Sequence, residues 1–153
     1  MSAPYVAVVG AGDGAGEAPL ANAEAVGAQL AQRGAVVVCG GLGGVMEAAC
    51  RGARSHGGVT LGILPGEDRA TANAWVTVAV ATGLGELRNG LVVRCADAVV
   101  AIGGEYGTLS EIALALKAGK RVVGLASWQI DGVLAAADAA TAVALALDGE
   151  PRV

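Results

Sequence analysis

From Ala96 to Glu111 the sequence reads Ala-Asp-Ala-Val-Val-Ala-Ile-Gly-Gly-Glu-Tyr-Gly-Thr-Leu-Ser-Glu, an apolar strand that runs through glycines into a helix. Such a junction supports anion binding: it offers unpaired backbone N–H groups, the positive end of a helix dipole, and glycines that let a ligand come close. Thr108 and Glu111 stand three apart, so on a helix they share one face and can both look into a crevice. The same spacing is that of a capping box, in which the two side chains satisfy each other's backbone donors and need no ligand. A carboxylate about 4 Å from a phosphate repels it by roughly 4 kcal/mol at an effective dielectric near 20. If Glu111 meets a ligand, it therefore addresses a sugar or base and not the phosphate.

Two further glycine loops follow apolar strands. Gly10-Ala11-Gly12-Asp13-Gly14-Ala15 has the Gly-x-Gly-x-x-Ala form of a dinucleotide site. Against that reading, Gly14, Gly16 and Pro19 postpone the helix. The second strand also ends in Cys39-Gly40-Gly41, where an acidic residue would be needed to hold a ribose. Gly40-Gly41-Leu42-Gly43-Gly44 places four glycines in five positions, either to cradle an anion with backbone N–H groups or only to tighten the turn. Function is favoured, because that many glycines cost entropy that a plain turn does not require. Arg88 lies in Leu84-Gly85-Glu86-Leu87-Arg88-Asn89-Gly90-Leu91, at the border of an expected buried stripe of Leu84, Leu87 and Leu91. From there it snorkels to solvent, pairs with Glu111 or meets a ligand phosphate.

The elements that must hold these residues alternate along the chain. Strand-like Tyr5–Gly10, Ala35–Cys39 and Val59–Pro65 are followed by Asn22–Arg33, Val45–Ser55 and Val76–Ala81 in the helix-like places. Leu84–Cys95, Ala98–Ile102, Thr108–Ala118 and Arg121–Ala126 continue the alternation, and an Ala-rich helical stretch closes it from about Asp131 to Leu147. The strands are continuously apolar, as expected of a parallel sheet buried on both faces. The fold class is α/β, a doubly wound, Rossmann-like parallel sheet, expected to be a single domain over residues 1–153. Right-handed crossovers put the strand C-termini and their glycine loops on one edge. Gly66–Ala74, without periodicity, is expected to be a mobile loop, either a solvated connection or a cover for the site.

Composition narrows the function classes. The chain is 54% hydrophobic with mean hydropathy +0.59, yet no apolar run reaches the length of a membrane span. Nothing at the N-terminus resembles a signal peptide, so a cytoplasmic protein is expected. The net charge is −4 and the ten Lys plus Arg are scattered, which argues against a nucleic-acid partner. Cys39, Cys50 and Cys95 lie far apart in sequence and are expected to be small core residues in a reducing compartment, without a zinc site or disulfide framework. The only histidine, His56, falls in a turn after a helix, where a surface or capping role is expected.

Together these residues resemble the LOG (Lonely Guy) family, which hydrolyses nucleoside 5′-monophosphates to free base and ribose 5-phosphate. Its pattern couples an Arg, eight residues before Ala-Asp-Ala, to Pro-Gly-Gly-x-Gly-Thr-x-x-Glu. Arg88 precedes Ala96-Asp97-Ala98 by eight, and Gly107-Thr108-Leu109-Ser110-Glu111 matches the end of the motif. The resemblance runs from Tyr5 to about Ser127 and includes Gly40–Met46. It departs at Gly103, which stands for the motif's Pro, at Glu105 for its second Gly, and at Asn89 for the Lys after the Arg. Gly-Gly-Glu-Tyr-Gly-Thr-Leu-Ser-Glu is similar instead to a short sister branch that includes the molybdenum cofactor carrier proteins, which bind a phosphorylated pterin without known turnover. The superfamily's "lysine decarboxylase" label finds little support, since Lys117 and Lys120 fall at a helix end.

The resemblance implies a small phosphorylated, nucleotide-like ligand held across the strand C-termini. Gly10, Gly41, Gly43, Gly44, Gly104, Gly107 and Thr108 are then the ligand- and phosphate-binding residues. Glu111 is the base, or the group that stabilises an oxocarbenium-like transition state, and Arg88 orients the ligand. Neither role requires a metal or a cofactor. The first expectation is phosphoribohydrolase activity; the alternative is a non-catalytic carrier with molybdenum cofactor as bound cargo. A homo-oligomer, dimer or tetramer, is expected.

Overall fold

The computed structural model describes residues 2–149. Seven parallel strands form one sheet in the order β4-β3-β2-β1-β5-β6-β7: β1 Tyr5–Gly10, β2 Val36–Cys39, β3 Thr60–Leu64, β4 Val78–Ala81, β5 Ala98–Ile102, β6 Arg121–Leu125 and β7 Val133–Ala136. The order reverses between β1 and β5, whose register pairs Val6 with Ala98 and Gly10 with Ile102. A crevice opens beyond the carboxyl ends of strands at such a switch point. The expected doubly wound α/β fold is therefore present.

Helices α1 (Glu17–Gln32), α2 (Val45–Arg54) and α5 (Ala139–Asp148) cover one face, over a core that includes Val8, Val26, Leu30, Val45 and Val100. Helices α3 (Arg88–Arg94) and α4 (Tyr106–Lys117) cover the other, over Val9, Val93, Val99 and Ile112. The central strand β5 is buried at all five positions, as its unbroken Ala-Val-Val-Ala-Ile run requires. Where α1 crosses α2, a Cβ on Gly27 would strike the Ala49 carbonyl and one on Gly52 the Glu24 carbonyl. These two helices meet backbone to backbone.

Several elements differ from the sequence reading. Val78–Ala81 is a strand, hydrogen-bonded to β3 at the sheet edge; its alternating Val and Ala leave the two valines exposed on one side. The Ala-rich stretch expected to be helical from Asp131 begins with β7 instead. The turn at Asp131-Gly132 precedes that strand, and the Asp138 carboxylate caps α5 by accepting the Thr141 N–H at 2.8 Å. Helix α1 starts at Glu17, five residues before the expected Asn22, because Pro19 sits in the first turn, where its missing N–H costs nothing. Gly66–Ala74 contains a 3-10 turn at Arg69–Thr71, and just before its end Asn73 ties it to the second glycine loop. The Asn73 backbone N–H donates to the Gly41 carbonyl and its side-chain amide to the Leu42 carbonyl.

Cys39 and Cys50 are core residues as expected, whereas Cys95 is exposed. His56 follows α2, its Nδ1 3.3 Å from the Gly52 carbonyl, in the expected capping place. Among the described residues no helix is long and apolar enough to cross a membrane.

Candidate functional site

Two joined chambers lie beyond β1 and β5. The inner one, about 140 Å³, is lined by Gly10, Gly40, Met46, Arg88, Asn89 and Glu111, among others. The outer one, about 230 Å³, is lined by Gly10–Gly14, Glu105, Gly107, Thr108 and Glu111. Gly10 and Glu111 belong to both, so Glu111 stands at the passage. A larger hollow of about 610 Å³ lies by the β6–β7 connection around Trp128 and Ile130. None of the residues singled out from the sequence lines it. The candidate site is the smaller pair, around which Arg88, Thr108 and Glu111 converge.

Helix α4 begins at Tyr106 with Glu105 as its N-cap, and the Glu105 side chain makes no capping bond. Thr108 is thus the third helical residue and not the cap, so the capping-box reading of Thr108 and Glu111 does not hold. Its hydroxyl turns inward: Thr108 is 2% exposed and Oγ1 has no hydrogen-bond partner. A buried hydroxyl left unpaired costs about 1–3 kcal/mol. The N–H groups of Gly107 and Thr108 lie in the first turn, where helices have no acceptors of their own. Nothing lies within 4 Å of a Cβ built on Gly103, Gly104 or Gly107. These glycines border open space.

In the other two loops, Gly10 and Gly44 lie tight against backbone carbonyls. A Cβ on Gly10 would come within 2.7 Å of the Ile102 carbonyl and of Val45. One on Gly44, whose φ is +67°, would run into the Ala11 and Gly12 carbonyls. Gly41 packs on Leu64, and Gly43 lies against the Asp13 carboxylate. Of the residues expected in the site, the structure brings Gly10, Arg88, Gly107, Thr108 and Glu111 together around the two chambers. Gly41, Gly43 and Gly104 line neither chamber, and Gly44 borders an adjoining hollow with Glu47 and Arg51. Asp13 and Met46, which the sequence did not single out, line the chambers. So does Asn89, which had stood out only as a departure from the family pattern.

Arg88 inverts the expected pattern of its segment. It is buried, 8% exposed, while Leu84, Leu87 and Leu91 are exposed, Leu87 at 79%. Its Nε donates to the Ile63 carbonyl at 2.9 Å, Nη2 to the Gly40 carbonyl at 3.4 Å and Nη1 to the Asn89 side chain. Carbonyls at the ends of β3 and β2 thus anchor the guanidinium, which neither snorkels to solvent nor forms an ion pair with Glu111. Burial lowers its pKa from the ordinary value, while Glu111, Cys39 and Glu86 act in the opposite direction; a guanidinium nevertheless keeps its proton. Glu111 is partly buried in turn, and desolvation pushes its carboxyl up to about 7 against the opposing pull of Arg88. A carboxyl poised there can hold or release a proton at neutral pH.

The loop after β6 steadies the entrance to α4. Ser127 Oγ donates to the Gly103 carbonyl at 2.6 Å and Trp128 Nε1 to the Glu105 carbonyl at 3.1 Å. Tyr106 stacks on Trp128 with ring centroids 6.2 Å apart. The preceding Ala126 has φ +49°, a left-handed conformation that turns the chain back over the end of β5. Among the described residues no group of three or more His, Cys, Asp or Glu side chains is placed to hold a metal ion.

Known proteins share this architecture and much of the sequence. An uncharacterised protein of Archaeoglobus fulgidus is 44% identical over 125 residues, 82% of each chain. The molybdenum cofactor binding protein of Rippkaea orientalis superposes with a TM-score of 0.89 at 36% identity, covering 95% of this chain and 96% of that one. The molybdenum cofactor carrier protein of Chlamydomonas reinhardtii does so with a TM-score of 0.85 at 35% identity, covering 94% and 95%. The model of the SLOG cluster4 family matches residues 3–151, beyond the Tyr5–Ser127 span of the motif resemblance. With the glycine loops, Arg88 and Glu111 all inside that match, the chain belongs to the SLOG cluster4 family.

Proposed function

We propose that this protein binds and carries the molybdenum cofactor, or a closely similar phosphorylated heterocycle, in the two chambers beyond β1 and β5. The observation that carries the proposal is the Thr108 hydroxyl, buried in the chamber wall without a partner. An oxygen of the cargo's phosphate accepts from it, together with the Gly107 and Thr108 N–H groups at the positive end of α4. Gly10 lets the end of β1 pack against Ile102 and Val45 beside the passage, and Gly104 keeps the approach to α4 clear. Gly43 and Gly44 hold the second loop against the first, and Gly41 packs it on Leu64 of β3.

The acidic wall is compatible with this role. Asp13 and Glu105 line the outer chamber but are exposed, where solvent screens their charge, and a Glu111 that titrates near 7 carries only part of its charge at neutral pH. When protonated, Glu111 donates a hydrogen bond into the passage, and Arg88 supplies the fixed positive charge of the inner chamber. The relatives named as a cofactor binding protein and a carrier protein, at 35–36% identity over nearly the whole chain, support carriage over turnover.

One observation favours a second reading, hydrolysis of nucleoside 5′-monophosphates. Glu111, with its raised pKa beside Arg88, has the protonation range of a general acid–base catalyst. Incubating the protein with a panel of nucleoside monophosphates and assaying ribose 5-phosphate tests the choice. The carrier reading expects none; release that Glu111→Ala abolishes would establish the hydrolase.

We place the protein in the cytoplasm, as one domain over residues 1–153 and as a homo-oligomer, dimer or tetramer. The exposed Leu84 and Leu87 before α3 and Leu91 within it support a second copy as the partner.

A further inference from the structure

The β2–α2 unit holds two thiols that play no part in the ligand chambers. Cys39 is the last residue of β2 and Cys50 lies in α2, and their Sγ atoms are 3.5 Å apart in the core. The loop that joins them, Gly40–Gly44, carries two glycines with positive φ, Gly41 and Gly44. The Gly41 N–H donates to Cys39 Sγ at 3.3 Å.

We propose that Cys39 and Cys50 are a redox modification site, joined into a reversible intramolecular disulfide by a hydroperoxide. The Cys50 thiolate attacks one peroxide oxygen, the O–O bond breaks, and the departing alkoxide or hydroxide takes a proton. This leaves a sulfenic acid on Cys50. The Cys39 sulfur then attacks the Cys50 sulfur, the S–S bond forms, the S–O bond breaks and hydroxide leaves as water. Two thiols are oxidised and one hydroperoxide is reduced, giving a disulfide, one alcohol or water, and a further water.

The pair is asymmetric in the way this sequence of steps requires. The hydrogen bond shared with Cys39, aided by Asn73 and Thr60, lowers the Cys50 thiol below its ordinary range, although burial and Glu47 oppose it. The same contact, with burial, raises Cys39, against the Gly41 N–H and Arg88, which act to lower it. In the proposed order Cys50 attacks and Cys39 resolves. Both are fully buried, so the peroxide must wait for local opening of the glycine loop, and the reaction is slow. Closing the bridge brings the sulfurs from 3.5 Å to about 2.05 Å. That movement draws on Gly40, whose carbonyl accepts from Arg88, so the bridge also reaches the inner chamber.

Trypsin releases both cysteines in one peptide, Gly34–Arg51, and leaves Cys95 in another. The folded protein is treated with hydrogen peroxide, then denatured, alkylated and digested. The expected result is a Gly34–Arg51 peptide lighter by two hydrogens, about 2 Da, that takes no alkyl group until dithiothreitol restores both thiols. Met46 oxidation adds an oxygen and is read separately. Cys39→Ser and Cys50→Ser should each abolish the loss of two hydrogens. Two alkylatable thiols in that peptide after peroxide treatment would overturn the proposal. So would a bridge that forms only when the chain is unfolded before treatment.

Discussion

Replacing Glu111 by Gln removes a carboxyl whose pKa burial raises from its ordinary 4.5 to about 7. A raised folded-state value means that the folded protein binds this proton more tightly than the unfolded chain does. The stability it contributes is fully present below about 4.5 and is lost as pH rises through about 7. At 1.36 kcal/mol per pH unit that difference amounts to about 3 kcal/mol. The side chain is only partly buried, and solvent screening trims this to roughly 2–3 kcal/mol. Gln is neutral throughout. Wild type and Glu111→Gln should therefore match near pH 4.5, and the variant should be the more stable by about 2–3 kcal/mol at pH 8. Asp138, whose pKa its bond from Thr141 lowers, acts in the acid range and equally in both proteins. Urea unfolding at pH 5, 6, 7 and 8, with unchanged m-values, reads the difference. A gap that stays constant with pH, or a variant less stable at pH 8, would refute the idea that Glu111 is held desolvated at the passage.

Thr108→Val removes an unpaired buried hydroxyl, so thermal stability should hold or rise by up to about 1 kcal/mol while ligand affinity falls about 10- to 100-fold by calorimetry. Arg88→Met strands the Ile63 and Gly40 carbonyls and should cost about 2 kcal/mol in urea unfolding. Arg33→Met, at the exposed pair with Asp148, should cost under about 1 kcal/mol. Gly44→Ala, strained at φ +67° and driven into two carbonyls, should cost about 3 kcal/mol or more in the same assay. Gly107→Ala, facing open space in a helix, should stabilise by about 0.5–1 kcal/mol yet weaken the ligand.

The inner strands were legible because β1, β2 and β5 are nearly unbroken runs of Val, Ala and Ile, as a parallel sheet covered on both faces requires. Val78–Ala81 was misplaced because four alternating residues at a sheet edge lack that continuity. The convergence of Arg88 with Thr108 and Glu111 was visible through the spacing of family motifs. What Arg88 does there was not. The leucine spacing implied a buried stripe, but the partners that bury Arg88 instead are carbonyls 25 and 48 residues away. Thr108 and Glu111 fit a capping box by spacing alone, and only the helix start at Tyr106 frees the hydroxyl for a ligand. The glycine loops read alike in sequence. They divide in space, because Gly10 and Gly44 of the first two lie against backbone carbonyls and the third opens outward. The Cys39–Cys50 contact joins a strand end to a helix interior, and its spacing of 11 matches no local cysteine motif.

The most direct test of the central claim is gel filtration of molybdenum cofactor, freed from a denatured donor enzyme, with wild type and with Thr108→Val. The bound pterin is quantified by fluorescence after oxidation. Carriage in these chambers means that the cofactor co-elutes with wild type at about one per chain, is recovered chemically intact after hours, and is largely lost from a folded Thr108→Val. Free cofactor with wild type, or equal retention by both proteins, would contradict it.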